Sequence, residues 1–149
     1  GAINFATSGS GGGIHLAGAW LHHASGTQVT FVHYKGTGAF LQDLISNRVQ
    51  ATSAGLVVSL PYLRSGKLRA LALMNSARAP QLPDLPTVAE QGIAGFNYTA
   101  WLGFAAPAAT PAAVVERLAE GFIRATRSPE LVARLEPEGS MMVGNTPAQ

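Results

Sequence analysis

A run of serine and glycine at residues 8–13 separates a strand-like segment from a helix-like one. The apolar segment 3–7 precedes the run, and apolar residues recur at helical spacing from Ile14 onward, at Ala17, Leu21 and Ala24. A connection this short and rich in glycine lets a strand pass almost directly into a helix, and it leaves the backbone open to close approach. The run therefore predicts a strand–turn–helix unit whose turn can contact a ligand.

The same order continues along the chain. A strand rich in β-branched and aromatic residues is predicted at 29–34, a second glycine turn at 35–38, and then a helix with Phe40, Leu41, Leu44 and Ile45 on its apolar face. A short strand at 49–53, a helix at 56–64 and a strand at 68–74 follow. Strands alternating with helices across short turns predict an α/β fold with a mainly parallel sheet and helices on its faces.

The second half of the chain carries start signals for further elements. Thr87 and Glu90 have the spacing of a capping box, which predicts a short helix ended by Gly92. A long strand is predicted at 98–106, and a helix should follow Thr110-Pro111. Ser128-Pro129 repeats that start signal for a helix at 130–135, and residues 140–143 are predicted to form a last strand.

Composition excludes several classes of function. Charged residues make up 12% of the chain, against about 25% in typical soluble proteins, which suggests that part of the surface is covered. The net charge of +2 and the single spaced trio Arg64, Lys67 and Arg69 argue against nucleic acid as a partner. The chain has no cysteine, which excludes disulfides, thiolate metal sites and a cysteine nucleophile.

Both glycine turns are predicted at the carboxyl ends of strands and at the starts of helices, where main-chain N–H groups are unpaired and the helix dipole is positive. Such a site binds an anion, and one that relies on N–H groups and hydroxyls suits a carboxylate better than a triphosphate. The alternative is that both turns are ordinary tight connections. The candidate substrate-binding residues are Ser8, Gly9, Ser10, Gly11, Gly12, Gly13, Tyr34, Lys35, Gly36, Thr37, Gly38 and Ala39.

The sequence does not contain the motifs of nucleotide-binding or catalytic sites. A dinucleotide fingerprint would need glycine where Ile14 stands, and a phosphate-binding loop would need glycine in place of Pro61. A nucleophile elbow is absent, and the acidic residues are too scattered to predict a paired-carboxylate site. We therefore expect no catalytic residue, no cofactor and no enzyme activity.

The histidines His15, His22, His23 and His33 do not have the spacing of a metal site. Positions 15 and 22 are two helical turns apart, about 10.5 Å along the axis, which is too far for one ion to bridge directly. The zinc-protease pattern is also missing. We expect no metal, and we interpret these histidines as a solvated or partner-facing side of the first helix.

Several longer stretches carry a resemblance to a known family. They are "TSGSGGGIHLAG", "HYKGTGAFLQDL", "SGKLRALAL", "LPDLPTVAEQGIAGF" and "AWLGFAAPAATPAAVVERL", in this order. Together they resemble the substrate receptors of tripartite tricarboxylate transporters, the Bug or TctC family, over practically the whole chain. The block from Leu82 to Gly92 is the most specific part of the likeness. Against the family pattern, His33 replaces a frequent proline, and Ala54-Gly55 stands where many members carry polar residues that face the ligand.

The resemblance implies a periplasmic-binding-protein-like fold of type II, in which two α/β lobes close over a ligand. It implies that residues 1–97 form the second lobe as a three-layer unit, and that residues 98–149 form a crossover strand and part of an incomplete first lobe. The implied function is to bind a small organic acid in the periplasm and deliver it to a membrane permease, without catalysis. A signal peptide is not visible in this chain.

A lobe face left uncovered by the missing part of lobe one would favour a homodimer or a domain swap. The competing interpretation is a structural remnant of the same fold that binds nothing, and an α/β enzyme is a more distant one. Which acid is bound, and whether the natural protein is longer, are questions that the sequence leaves open.

Overall fold

The structure, a computed structural model, describes residues 3–147. The chain divides into two compact units, which we call unit one (up to Ala100) and unit two (from Trp101 onward). Unit one contains β1 (Asn4–Thr7), α1 (Gly13–Ser25), β2 (Thr30–His33), α2 (Thr37–Ile45), β3 (Ala51–Thr52) and α3 (Leu56–Arg64). Unit two contains α4 (Ala112–Thr126), α5 (Pro129–Leu135) and a short 3₁₀ helix (Glu136–Glu138).

The sheet of unit one has the strand order β2-β1-β3, and both pairings are parallel. Phe5 of β1 pairs with Phe31 on one side and with Ala51 on the other. Strands that follow one another in the chain are joined through a helix, α1 between β1 and β2 and α2 between β2 and β3, as parallel strands require. The predicted parallel α/β arrangement is therefore confirmed for the first half of the chain.

The two faces of the sheet pack against different helices, because successive residues of a strand point to opposite faces. On one face, the Phe5 ring lies edge-on to Phe31 at 5.6 Å and fills the space beside Gly18 of α1. A Cβ built at Gly18 would lie 2.6 Å from Cε1 of Phe5, so the close approach of α1 requires glycine there. On the other face, Ala6 packs with Phe40 and Leu41 of α2. The result is the predicted three-layer unit.

Three predicted strands are absent from the described residues. Residues 68–74 contribute only an isolated parallel bridge between Leu73 and Thr87, and residues 98–106 and 140–143 have no strand structure. The pattern of apolar residues was sufficient to suggest strands, but a strand forms only when a neighbouring backbone satisfies its N–H and C=O groups. Trp101, in the middle of the longest of these segments, is 84% exposed.

The capping box at Thr87 is present, but the helix predicted after it is wrong. Thr87 N donates to Glu90 Oε2 at 2.7 Å, and Glu90 N donates to Thr87 Oγ1 at 3.1 Å. Gln91 N closes a single turn on Thr87 O, and Gly92 then takes a φ of +108°. That left-handed residue ends the turn before a helix can extend.

Unit two has both predicted helices. Ser128 is the N-cap of α5 and Pro129 its first residue, as expected, whereas α4 begins after Pro111 and the Thr110 side chain does not cap it. Phe104 stacks on Phe122 of α4 with ring centroids 3.8 Å apart. Among residues 3–147, none of the helices combines the length and the apolar character that crossing a membrane requires.

The division predicted at residues 97 and 98 assigns each part to a lobe of a receptor, and that assignment stays a prediction. The outer ends of the two predicted ranges, residues 1–2 and 148–149, lie outside the described residues.

Candidate functional site

Three helices of unit one begin with glycine as the N-cap at the carboxyl ends of the three parallel strands. Gly12, Gly36 and Gly55 are the N-caps of α1, α2 and α3, with no hydrogen bond from a capping side chain and no acidic residue in the first turn. In unit two, the N-caps of α4 and α5 are Pro111 and Ser128, which also make no side-chain capping hydrogen bond. Parallel strands end at the same side of a sheet, so the three glycine starts share one side, which we call the carboxyl edge.

Hydrogen bonds tie these three turns together. Tyr34 N, in the second turn, donates to Thr7 O at the end of β1 over 2.9 Å. Ser53 Oγ, before the third turn, donates to Ile14 O in the first turn of α1 over 2.7 Å. The candidate turns are therefore held next to one another. The third turn, at Gly55, was not among the predicted site residues, although a glycine directly before a helical pattern was the signal for it.

The first predicted turn is shaped by glycine. Gly9 and Gly11 have φ values of +132° and +75°, which residues with a side chain rarely adopt. Gly12 has φ −72° and ψ 164°, and a Cβ there would meet Gly9 O at 3.7 Å, an ordinary contact. Gly12 is therefore a position where a side chain fits and where glycine leaves the helix start open.

The serine hydroxyls of this turn are available to a ligand. Ser8 is half-buried and Ser10 is exposed, and within residues 3–147 neither hydroxyl makes a hydrogen bond. Gly13 opens α1, and its carbonyl accepts a hydrogen bond of 2.9 Å from the Tyr98 hydroxyl. The predicted residues 8–13 thus form one continuous turn.

The second predicted turn leads into α2. Gly36 is the N-cap with a φ of +151°, and Thr37, Gly38 and Ala39 form the first turn of the helix. A Cβ at Gly38 would meet nothing within 4 Å, so packing does not require glycine there. Lys35 is exposed beside the turn. Predicted residues 34–39 are thus placed at the carboxyl edge.

The carboxylate of Asp43 in α2 holds the Tyr34 side chain of this second turn. The Tyr34 hydroxyl donates to Asp43 Oδ2 at 2.9 Å, and Arg48 Nη1 contacts Asp43 Oδ1 at 3.0 Å. The hydrogen bond from Tyr34 and then that from Arg48 hold the pKa of Asp43 below its usual value, and the same hydrogen bond raises the pKa of Tyr34. Asp43 therefore stays ionised while Arg48 balances its charge.

Two histidines also lie at the carboxyl edge, which the sequence interpretation did not include in the site. Gly11 N donates to His15 Nδ1 at 3.0 Å, and His33 Nδ1 lies 2.6 Å from the Oγ1 of buried Thr7. The two imidazole rings meet edge to face with centroids 4.9 Å apart. The side of α1 at His15 was expected to be solvated or partner-facing; instead His15 packs on β2 and on the first turn.

The other histidines lie apart from the turns. The His22 ring lies edge-on to Phe5 at 5.2 Å, and burial lowers its pKa. His23 is exposed on α1. No group of three or more potential metal ligands of the His, Cys, Asp or Glu type occurs in the described part of the chain. The carboxyl edge thus offers N–H donors, hydroxyls and imidazoles, which together can hold an anion.

Comparison with known proteins identifies the family of this chain. The family model "Tripartite tricarboxylate transporter family receptor" matches residues 1–149. A Pseudomonas sp. (strain P51) protein, the UPF0065 protein in the tcbD-tcbE intergenic region, is 34% identical over 148 residues, which are 99% of this chain and 44% of that protein.

Solved structures give the same result. The periplasmic binding protein BugD superposes with a TM-score of 0.90 at 33% identity, over 97% of this chain and 48% of its own. An R. palustris protein with adipate gives 0.91 at 32% identity, over 98% and 49%. MatC from Rhodopseudomonas palustris with bound malate gives 0.88 at 33% identity, over 94% and 48%.

These comparisons confirm the predicted family resemblance and the periplasmic-binding-protein-like fold. The family and these neighbours are binding receptors rather than enzymes, as expected from the sequence. The chain spans less than half the length of the first relatives that it matches.

Proposed function

The chain belongs to the tripartite tricarboxylate transporter receptor family, and from that premise we propose that it is the part of a solute receptor that holds one small organic acid at the carboxyl edge. The acid's carboxylate accepts hydrogen bonds from first-turn N–H groups at Gly12 and Gly36, and from nearby hydroxyls. The receptor acts in the periplasm and delivers its ligand to a membrane permease.

The observation that supports this proposal most is the set of glycine N-caps at Gly12, Gly36 and Gly55. A helix start usually carries serine, threonine or aspartate, whose oxygen accepts the free N–H groups. Here those groups are left without a side-chain acceptor on one side of one sheet. Relatives solved with adipate and with bound malate make a carboxylate the natural acceptor.

Unit one supplies all residues of this proposed site. We assign residues 1–97 to the second lobe of a two-lobed receptor, and residues 98–149 to a crossover segment and part of the first lobe. Because lobe closure usually supplies further contacts and excludes water, binding by this chain alone should be weak. The experiment must therefore detect millimolar affinity.

Thermal unfolding with added dicarboxylate tests the proposal. Sodium adipate, sodium malate and, at matched ionic strength, sodium chloride are added to the chain over a millimolar series. A ligand that binds only the folded state raises the melting temperature with its concentration. We expect adipate or malate to raise it and chloride to leave it unchanged.

The decisive variant is Gly12→Asp, because its carboxylate would accept the first-turn N–H groups of α1 and repel an anionic ligand. It should fold at least as stably as the parent and lose the response to dicarboxylates. Ser128→Asp is the matched control, since it adds the same charge at the N-cap of α5, outside the site. A response that persists in Gly12→Asp, or disappears in Ser128→Asp, contradicts the proposed site. A stable parent chain with no response to either acid favours the structural remnant.

A further inference from the structure

The contacts of His15 and His33 lead to an inference about how the proposed site takes its ligand; it rests on the function proposed above. His33 is the last residue of β2 and directly precedes the second turn, while His15 lies in the first turn of α1. Their rings touch, and each Nδ1 is bonded to a group of the first turn or of the strand before it. The histidine pair therefore connects the two turns.

His15 is hydrogen-bonded to a main-chain donor of the first turn, next to the N-cap Gly12. Gly11 N–H donates to His15 Nδ1 at 3.0 Å, so this nitrogen carries no proton and acts as the acceptor. The imidazole nitrogen thus accepts a main-chain hydrogen bond that a carboxylate oxygen could also accept. If Nδ1 becomes protonated, Gly11 N–H loses its acceptor, and a carboxylate can then accept from both Gly11 N–H and His15 Nδ1–H.

His33 can take a proton without leaving a partner unsatisfied. Its Nδ1 lies 2.6 Å from Thr7 Oγ1, and a hydroxyl can either donate to or accept from that nitrogen. Thr7 Oγ1 also has Gly9 O as an alternative acceptor at 3.5 Å. When His33 is protonated, its Nδ1–H donates to Thr7 Oγ1 while the Thr7 hydroxyl turns to Gly9.

The surrounding charges leave this pair without a permanent counter-ion. On α1, burial lowers the pKa of His22, which disfavours a positive charge on its ring. On the second turn stand Lys35 and Tyr34, and on α2 the carboxylate Asp43 is bonded to Tyr34 and Arg48. β1 contributes Thr7, whose hydroxyl does not ionise near neutral pH. Within residues 3–147, no acidic side chain hydrogen-bonds to either imidazole of the pair.

We infer that His15 and His33 are ligand-binding residues of the carboxyl edge, and that the pair takes up a proton when a carboxylate binds. One proton is shared by the pair, because two positive charges on touching rings repel each other. The bound carboxylate is then the counter-ion of the protonated pair. Coupling is reciprocal, so affinity for the acid rises as the proton concentration rises.

The test is the pH dependence of sodium adipate binding to the full chain, followed by NMR at the ¹⁵N-labelled amides of Gly11 and Gly36. Titrations at about pH 8 and about pH 6.5 span the range in which an imidazole changes charge, while ordinary carboxylates remain ionised. We expect the dissociation constant to be about fivefold lower at the more acidic pH, since uptake of up to one proton is coupled to binding.

Two variants assign the proton. The double variant His15→Gln/His33→Asn has neither imidazole of the pair. It should reduce the pH effect to less than about twofold, because no ring of the pair is left to take up a proton, whereas a single change would leave the other ring able to do so. His23→Asn removes an exposed histidine from the same helix and should leave the pH effect unchanged. Thermal unfolding confirms that each variant is folded.

The outcomes separate this inference from the proposed function. If adipate shifts both amides with the same affinity at both pH values, the inference is wrong and the carboxylate site stands. If the pH effect survives in the double variant His15→Gln/His33→Asn, the proton belongs to another group, which also overturns the inference. If no amide shifts at either pH, the carboxylate site and the inference fail together.

Discussion

Unit one and unit two contain similar apolar patterns, but they bury them differently. In the described residues, all buried hydrophobic side chains lie in unit one, and Phe40 there is 0% exposed. In unit two, α4 has the same amphipathic spacing as α2, yet Val114, Leu118 and Phe122 on its apolar face are exposed. An apolar stripe predicts that a helix forms, but it does not supply the surface that covers the stripe.

This difference has an energetic meaning. Burial against a sheet removes apolar area from water at about 25 cal/mol per Å², and the close packing of a core adds dispersion contacts. A half-exposed side chain gains only part of this stabilising free energy. Substitutions at matched positions in the two units should therefore differ in cost, and the predictions below run from the largest expected effect to the smallest.

The largest difference is expected between Phe40→Ala and Phe122→Ala. Phe40 lies in the core of unit one, so its truncation should lower the free energy of unfolding by about 3–5 kcal/mol. Phe122 is 37% exposed and mainly stacks on Phe104, so its truncation should cost about 1 kcal/mol. Urea unfolding at room temperature measures both.

The two tryptophans allow each unit to be followed separately. Trp20 reports on unit one and Trp101 on unit two, so a Trp101→Phe or Trp20→Phe background isolates the fluorescence of the other. Equal losses for Phe40→Ala and Phe122→Ala would mean that the apolar face of α4 is as well packed in solution as the core of unit one.

Within unit one, alanine substitutions at two helical glycines should change stability by a smaller amount and in opposite directions. Gly18→Ala places a Cβ 2.6 Å from the Phe5 ring, and the resulting shift should cost about 1–3 kcal/mol. Gly38→Ala meets nothing within 4 Å and should raise stability by about 0.5 kcal/mol, because alanine favours a helix.

Thermal unfolding of the two alanine variants measures this contrast, and Gly38→Ala has a second readout. If an anion approaches the backbone at the start of α2, the added methyl group should weaken the response to adipate while the protein becomes more stable. A Gly18→Ala variant as stable as the parent would contradict the close packing of α1 on the sheet.

The smallest effect concerns two glutamates with arginine partners. Arg78 and the Thr87 N–H hold the pKa of Glu90 below its usual value, so ionised Glu90 stabilises the fold above the ordinary carboxyl range. This contribution is lost as the pH falls below about 4.3, the ordinary pKa of glutamate, and then through the lowered pKa of Glu90. Glu120 of unit two lies 3.9 Å from Arg124, with both side chains largely exposed.

Melting temperatures at neutral pH and at about pH 3, below the ordinary glutamate range, compare the two glutamates. Glu90→Gln should lower the melting temperature at neutral pH and have less effect in acid, where the parent has lost part of the same contribution. Glu120→Gln should change neither value. A larger effect for Glu120 than for Glu90 would show that the capping box at Thr87 is not formed in solution.

Much of the geometry of the candidate site was predictable because its residues are adjacent in the sequence. A glycine turn between a strand and a helix is a local pattern, and the placement of Gly12 and Gly36 at helix starts follows from it. His15 and His33 were missed because their contact joins residues far apart in the chain, and no local spacing encodes the pairing of β1 with β2.

The amino-acid sequence by itself determined the five α-helices of the described residues, the parallel α/β order of unit one and the family. Local propensity, capping residues and the period of apolar residues act within a few positions, so they can be read directly. Only the tertiary structure decided that residues 98–106 do not pair as a strand, that three uncapped helix starts meet at one side of a sheet, and that two imidazoles lie between them. Each of these depends on which backbone and which side chain a distant residue finds as its neighbour.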